Sequence, residues 1–366
     1  MRPRLKDILW RRQGAELQLD YGDSEVLRLD DRNGTIELVL DLLRTGSRTC
    51  AELAFTVGAP ITEVEQLIDV LELHRLVVDD DQTARFDAFD RHSAARSFFF
   101  PHATRDLAAH DMLDRLHAAH VMLLGANDIN TEVAAQLARL GVGRLTVADP
   151  HSSATIDSWH RVRVGHQSHE MSGTRRVTTR ASTIGPGTRT TEVREPISDE
   201  AALGELIDRD RPHVLVADLR NAASADPWLN VCCVGRALPF ASASVGQSQA
   251  LVYSVDPGTS ACVACVTLGS AAAQDATAVR VVYERPSASR CIPPVSAMLG
   301  SLLVLEVLRY VTGYEPPAYA GQPMRVELTA GGAMHRLTWR RNPSCPVCCG
   351  APIRVLDPGT AKSMVV

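Results

Sequence analysis

The sequence predicts an α/β fold that contains a βαβ unit, preceded by a small winged-helix-like α+β domain. Three short apolar runs, 120–124, 145–149 and 214–218, are typical of buried strands, and a helical pattern between the first two completes a βαβ unit. Charge also divides the chain, because residues 1–90 carry 11 basic and 19 acidic side chains whereas residues 91–366 carry 27 and 24. We therefore expect two domains, 1–90 and 91–366.

The first domain begins with alternating apolar residues at 15–19 and 25–29, which predict two strands. Helical spacing then predicts three helices, the third of which opens with a capping box at Thr62 and Glu65. The pattern alone favours an interaction or dimerisation domain. Nucleic acid is not an expected partner, because segment 13–90 holds six basic residues against eighteen acidic ones.

Composition excludes several classes of protein. The chain has 366 residues, 45% of them hydrophobic and 22% charged, which indicates a globular protein. The charged segment Met1–Trp10 lacks the apolar core of a secretory signal, so a cytoplasmic location is expected. The most apolar helix, around Met298–Val311, is interrupted by two charged residues and is expected to be too short to cross a membrane. Lys6 and Lys362 are the only lysines, which excludes any mechanism that needs an interior lysine.

Four of the nine cysteines form two C-x-x-C pairs, Cys262 with Cys265 and Cys345 with Cys348. In a chain without an export signal, such pairs indicate metal binding more than disulfides. Four thiolates in this pattern suit a closed, tetrahedral structural Zn²⁺ site. The alternative is a set of buried free thiols.

The loop of the βαβ unit has one of the glycines that a nucleotide phosphate requires. Gly125 is present, but Asp128 places a negative charge where a phosphate would lie. Asp149, at the end of the second strand, stands where a ribose-binding carboxylate is expected. A turn-capping role for Asp149 is the simpler alternative.

Several runs occur in an order that resembles the ThiF/MoeB and ubiquitin-activating superfamily of adenylating enzymes. They are LLGANDINTEVAAQLARLGVGRLTVADP, HVLVADLRNAASADPWLNVCCVGRALPFASASVG, CVAC, CIPPVSAMLGSLLVLEVLRYVTG and CPVC. The resemblance covers about residues 105–350. It implies a mixed sheet with a Rossmann-like half, a structural zinc and usually a homodimer, with ATP used to adenylate a C-terminal carboxylate.

The sequence departs from that family where the chemistry lies. The family's Gly-x-Gly-x-x-Gly falls on 125–130, its lysine on Arg176 and its magnesium-binding aspartate on Asn221. These losses together remove the stabilisation of phosphoryl charge. The resemblance therefore implies a scaffold that has lost adenylation, with Gly125 and Asp149 as remnants of a nucleotide site. The alternative is an adenylating enzyme in which Arg176 replaces the lysine and Asp149 holds the ribose.

The first domain resembles the PqqD-like leader-recognition domain of ribosomally made, modified peptides, with RTGSRTCAEL and HRLV in the expected places. The two resemblances in this order look like the ThiF-like F proteins, which bind a precursor leader and present its core to a YcaO-type cyclodehydratase that forms azolines and azoles. The leader is then expected to add as a strand beside 25–29, against the third helix at 61–73. Candidate pocket residues are Val26, Leu27, Leu67 and Val70.

Overall fold

The computed structural model describes most of the chain. The described residues are 2–21, 25–46, 48–80, 92–104, 106–150, 172–195, 197–218, 226–270, 291–349, 354–355 and 364–365. They form two compact units, Met1–Leu113 and Asp114–Val366.

The first unit extends beyond the domain 1–90 expected from the sequence. The expected boundary lies within 81–91, outside the described residues, and residues 92–113 belong to the first unit. The Lys6 ammonium fixes part of this extension, because Nζ donates hydrogen bonds to the carbonyl oxygens of Pro101 at 2.7 Å and Ala103 at 2.9 Å. Burial, followed by the nearby charge of Arg75, lowers the pKa of Lys6 to about 8.

The first unit combines two small antiparallel sheets with helices. Its strands are β1 (Pro3–Leu5), β2 (Leu9–Gln13), β3 (Glu16–Tyr21), β4 (Glu25–Asp30) and β5 (Val77–Asp79). Its helices are α1 (Thr35–Thr45), α2 (Cys50–Val57), α3 (Ile61–Leu73), α4 (Ser93–Phe99) and α5 (Ala109–Ala118), the last of which continues into the second unit. Strands β2, β3 and β4 form one sheet in that order, and β1 pairs with β5. Leu17 and Leu19 of β3 are fully buried against α1, α2 and α3.

The capping box predicted at Thr62 and Glu65 is wrong. Helix α3 begins at Ile61 after Pro60, and no side chain caps it. The capping box lies one helix earlier, where Thr49 accepts from the Glu52 N–H at 3.3 Å and Glu52 accepts from the Thr49 N–H at 2.7 Å.

The second unit is built on an eight-stranded sheet, which is mixed, as the family resemblance implied. Its strands are β6 (His120–Leu124), β7 (Arg144–Ala148), β8 (Arg189–Glu192), β9 (Val214–Ala217), β10 (Phe240–Val245), β11 (Gln249–Val255), β12 (Met324–Glu327) and β13 (Ala333–Arg336), followed by a separate pair, β14 (Arg354–Val355) and β15 (Met364–Val365). Across the large sheet the order is β13-β12-β11-β10-β9-β6-β7-β8. The five strands from β8 to β10 are parallel and the rest are antiparallel.

The helices of the second unit connect and cover this sheet. They are α6 (Asp128–Leu140), α7 (Gly173–Ile184), α8 (Glu200–Asp210), α9 (Asp226–Gly235), α10 (Val263–Ser270) and α11 (Pro293–Thr312). Helix α6 connects β6 to β7, and α8 precedes β9. Since the carboxyl ends of β6, β7 and β9 meet at one edge, the residues that follow them lie close together.

Helix α11 is longer than the sequence suggested. With 20 residues it meets the length and hydropathy criteria for crossing a membrane, so the expectation that it is too short is wrong, but 56% of its most apolar window is buried inside the structure. Its Glu306 is fully buried and accepts hydrogen bonds from the Ser254 hydroxyl at 2.6 Å and from the N–H groups of Ala318 and Tyr319. Helix α11 therefore packs as a core helix of this unit.

A buried histidine at the start of β6 makes stability depend on pH. Burial, and then the charge of Arg144, lowers the pKa of His120 to about 4 from 6.5. The unfolded chain therefore binds more protons than the folded chain between these values, so stability should fall as pH drops from 6.5 to 4, by about 1 to 2 kcal/mol after solvent screening. Urea unfolding at a series of pH values measures the slope. His120→Gln should flatten it and His335→Gln, on an exposed strand, should not; equal slopes in all three proteins would contradict this assignment.

Candidate functional site

Both C-x-x-C pairs meet in one buried cluster of four cysteines. Cys262 and Cys265 lie at the start of α10, and Cys345 and Cys348 lie in a turn near the C-terminus. All four side chains are buried, and their Sγ atoms lie within 4.8 Å of one another. The sulfur–sulfur distances are 3.9 Å for Cys262–Cys265, 3.6 Å for Cys262–Cys345 and 3.3 Å for Cys265–Cys348. Tetrahedral zinc, with Zn–S bonds of about 2.3 Å, places its sulfurs about 3.8 Å apart, so this donor set fits the ion.

Hydrogen-bond donors surround the cluster, although burial raises the pKa of Cys265 to about 11 and that of Cys262 well above its usual value. The Asn342 N–H donates to Cys265 Sγ at 3.3 Å, and Asn230 Nδ2 lies 3.7 Å from Cys262 Sγ. At Cys345, burial acts to raise the pKa, but N–H groups of Cys348 and Val347 outweigh it and lower the pKa to about 7. Such partners orient metal ligands, so this site suits a structural metal that is closed to substrate.

Gly125, after β6, is required by a close approach between backbone segments. Its φ is +95°, and a Cβ there would lie 2.1 Å from the Asp218 carbonyl oxygen. The glycine therefore permits contact with the end of β9, a role that involves no phosphate.

Side chains fill the positions of the other two family glycines. Asn127 Nδ2 donates to the Asp218 carbonyl oxygen at 2.8 Å. Asn130 is fully buried, and its Nδ2 donates to the carbonyl oxygens of Leu124 at 3.0 Å and Gly125 at 2.8 Å. The loop thus satisfies its own backbone groups.

The first turn of α6 faces a carboxylate of the same chain. Asp218, fully buried after β9, accepts a hydrogen bond at Oδ2 from the Ile129 N–H at 3.2 Å. The N-terminus of a helix carries partial positive charge and is where a nucleotide phosphate would bind. Asp218 supplies that negative charge from within the protein.

Arg176 and Asp149 lie beside this loop. Arg176, in the first turn of α7, donates from Nη2 to the Ala126 carbonyl oxygen at 3.2 Å, and its buried Nε has no hydrogen-bond partner among the described residues. A Cβ on Gly173 would lie 3.8 Å from Asp149 Oδ2 and 2.9 Å from Ala126 Cβ. The structure therefore brings Gly125, Asp149 and Arg176 together, whereas Asn221 lies outside the described residues.

A triphosphate does not fit these groups. Arg176 is directed at a carbonyl oxygen, and the Ile129 N–H that could face a phosphate is bonded to Asp218. Asp128, at the start of α6, adds a further negative charge. The loop's side chains therefore bond to carbonyl oxygens within the protein, and among the described residues the buried Arg176 Nε is the donor beside the loop that has no partner.

The predicted peptide surface has one edge strand and one helix. On its outer side β4 pairs with none of the described strands, and Val26 is 45% exposed. Val70 on α3 is 36% exposed, whereas Leu27 is half-buried and Leu67 belongs to the core. The start of β4 lies near the end of α3. The Tyr21 hydroxyl, at the end of β3, lies 2.5 Å from Nδ1 of His74, which follows α3, and Tyr21 pairs with Glu25 at the start of β4.

Sequence reasoning missed two residues of these sites. Asp218 directly follows a buried strand, as Asp149 does, and this shared position could have identified Asp218 as a site residue. Leu73, the last residue of α3, is 80% exposed, and it follows the candidate residues Leu67 and Val70 at helical spacing, which was the available signal.

Comparison with known proteins identifies relatives of the chain. The model of the ThiF family matches residues 102–347. The sulfur carrier protein ThiS adenylyltransferase of Escherichia coli (strain K12) is 23% identical over 247 residues, which are 67% of this chain and 92% of that protein. The adenylyltransferase and sulfurtransferase MOCS3 of Bos taurus is 26% identical over 240 residues, 65% of this chain, and the chain spans 50% of its length.

Solved structures share the fold. E. coli MccB has a TM-score of 0.72 at 17% identity, covering 98% of this chain and 99% of that one. The Microcin C7 biosynthetic enzyme MccB in complex with N-formylated MccA has a TM-score of 0.70 at 16% identity, covering 95% and 100%.

Proposed function

Because the chain belongs to the ThiF family, we propose that it uses the family's fold without its adenylation chemistry: it binds the leader of a ribosomally made precursor peptide and presents the core to a YcaO-type cyclodehydratase for azoline or azole formation. We place this role in the cytoplasm and in a homodimer, with zinc as a structural metal and without ATP.

The observation that carries the proposal is the contact of Asp218 with α6. A buried carboxylate at the phosphate position, together with asparagines at two glycine positions, makes the loop complete without a nucleotide. Binding then falls to the first unit, whose edge strand β4 offers backbone hydrogen bonds to an added strand. The MccB structure that contains N-formylated MccA has the same fold, which supports a peptide as ligand.

A leader-binding measurement tests the proposal. The leader half of a Cys/Ser/Thr-rich precursor encoded beside the gene is labelled and titrated with the full-length protein, and we expect micromolar affinity. Val26→Glu with Val70→Glu should weaken binding at least tenfold, because both side chains border the added strand. Val231→Glu is the matched control, since Val231 is 38% exposed in the second unit. Absence of binding at tens of micromolar would overturn the proposal.

The second candidate is an ATP-dependent adenylating enzyme that acts on a peptide or carrier-protein carboxylate. The proximity of Arg176 and Asp149 to one loop favours it, as do relatives named adenylyltransferases. Peptide-dependent pyrophosphate–ATP exchange distinguishes the two. We expect none from the wild type; exchange that disappears in Asp149→Ala would establish the adenylating function instead.

A further inference from the structure

Helix α3 has an exposed face of apolar and acidic side chains that does not pack against the core of its unit. Val64, Leu67, Ile68 and Leu71 form its buried side. On the opposite side Glu65, Gln66, Asp69, Val70 and Leu73 are exposed at the spacing of successive helical turns. Since the helix already packs through its buried side, the exposed Val70 and Leu73 contribute nothing to that core.

This face adjoins the start of the open strand. The Tyr21–His74 contact connects the end of β3 to the residue after α3, and the register places Glu25 of β4 opposite Tyr21. Val26 and Leu73 therefore lie at the same end of the unit, and both are exposed. We call the exposed side of α3 together with β4 the α3–β4 surface.

The charge of this surface is predominantly negative. Helix α3 contains four acidic residues, Glu63, Glu65, Asp69 and Glu72, and no basic one. Strand β4 adds Glu25 and Asp30 against Arg28. A segment that lies along both elements therefore meets negative charge on each side, which favours cationic partners and repels anionic ones.

We propose that the α3–β4 surface binds an extended peptide segment in which apolar residues alternate with lysine or arginine. This rests on the proposed function and defines its ligand as a leader with a basic recognition segment. Backbone pairing with β4 holds the segment, the exposed valines and Leu73 contact its apolar side chains, and the carboxylates of α3 select its charge.

Two labelled probe peptides of equal length test the proposal with the full-length protein. One alternates valine with lysine and the other valine with glutamate. We expect the lysine probe to bind at least tenfold more tightly at low salt, with the difference shrinking as salt rises. Glu65→Lys with Asp69→Lys should abolish or reverse the preference. Asp41→Lys, on the exposed side of α1, is the control and should preserve it.

The outcomes separate this inference from the proposed function. Equal affinity for both probes, tighter binding of the glutamate probe, or a preference that survives charge reversal on α3 would overturn the inference. The natural leader is titrated in parallel. If it binds and the α3 reversal has no effect, the proposed function stands and the inference fails; if the lysine probe alone binds with the expected preference, the surface is as proposed and the leader function fails.

Discussion

The Cys345→Ser variant should lose its zinc and unfold in far less denaturant than the wild type. The four sulfurs already have the spacing of a tetrahedral thiolate site, and removal of one leaves three buried thiolates around an incomplete metal site. Loss of a structural metal belongs to the largest single-residue effects, and we expect a decrease of about 4 kcal/mol in the free energy of unfolding. Metal analysis combined with urea denaturation measures both effects.

Cys349→Ser provides the control for this prediction. Cys349 is adjacent in sequence but exposed, and it lies outside the cluster. This variant should keep about one zinc per chain and the wild-type denaturation midpoint. A wild-type protein without zinc, together with equal stability of Cys345→Ser and the wild type, would instead support buried free thiols.

The Asp218→Ala variant should be destabilised by about 3 kcal/mol, because the Ile129 N–H loses a charged hydrogen-bond partner inside the protein. The loss also removes the negative charge that faces the first turn of α6. Asp218→Asn keeps the shape of the side chain and should lose less. Urea denaturation provides the free energies.

The control for Asp218 is an exposed carboxylate that also caps a helix. Asp199 accepts from the Ala202 N–H at 2.8 Å at the start of α8, and Asp199→Ala should destabilise the protein much less than Asp218→Ala. Comparable losses in Asp199→Ala and Asp218→Ala would show that Asp218 is an ordinary cap, and would remove the main argument against a phosphate at this helix.

The parallel half of the sheet and the cysteine cluster could be predicted because each has a strong local signal. Largely apolar runs indicate strands covered on both faces, and β6, β7 and β9 are such strands. Two C-x-x-C pairs indicate a single shared metal site, although the pairs lie far apart in the sequence. The contact between Asp218 and α6 could not be predicted, since it joins residues 89 positions apart and depends on how closely two strand ends approach.

The peptide surface shows where periodicity alone fails. Leu67, Val70 and Leu73 repeat at helical spacing and are all apolar, yet Leu67 is buried and Leu73 is 80% exposed. Leu73 lies on the side of α3 opposite Leu67 and Leu71, whereas Leu71, in the same last turn, is fully buried. Apolar residues at helical spacing identify the helix, but they do not show which of them face the core.

The completed loop after β6 also bears on how this chain could change in evolution. Restoring glycine at Asn127 and Asn130 would remove hydrogen bonds that now hold the loop, while Asp218 would still occupy the end of α6. Each single reversion therefore lowers stability without restoring a place for phosphate. Under the proposed function, the loss of the nucleotide site is therefore one that no single substitution in this loop reverses.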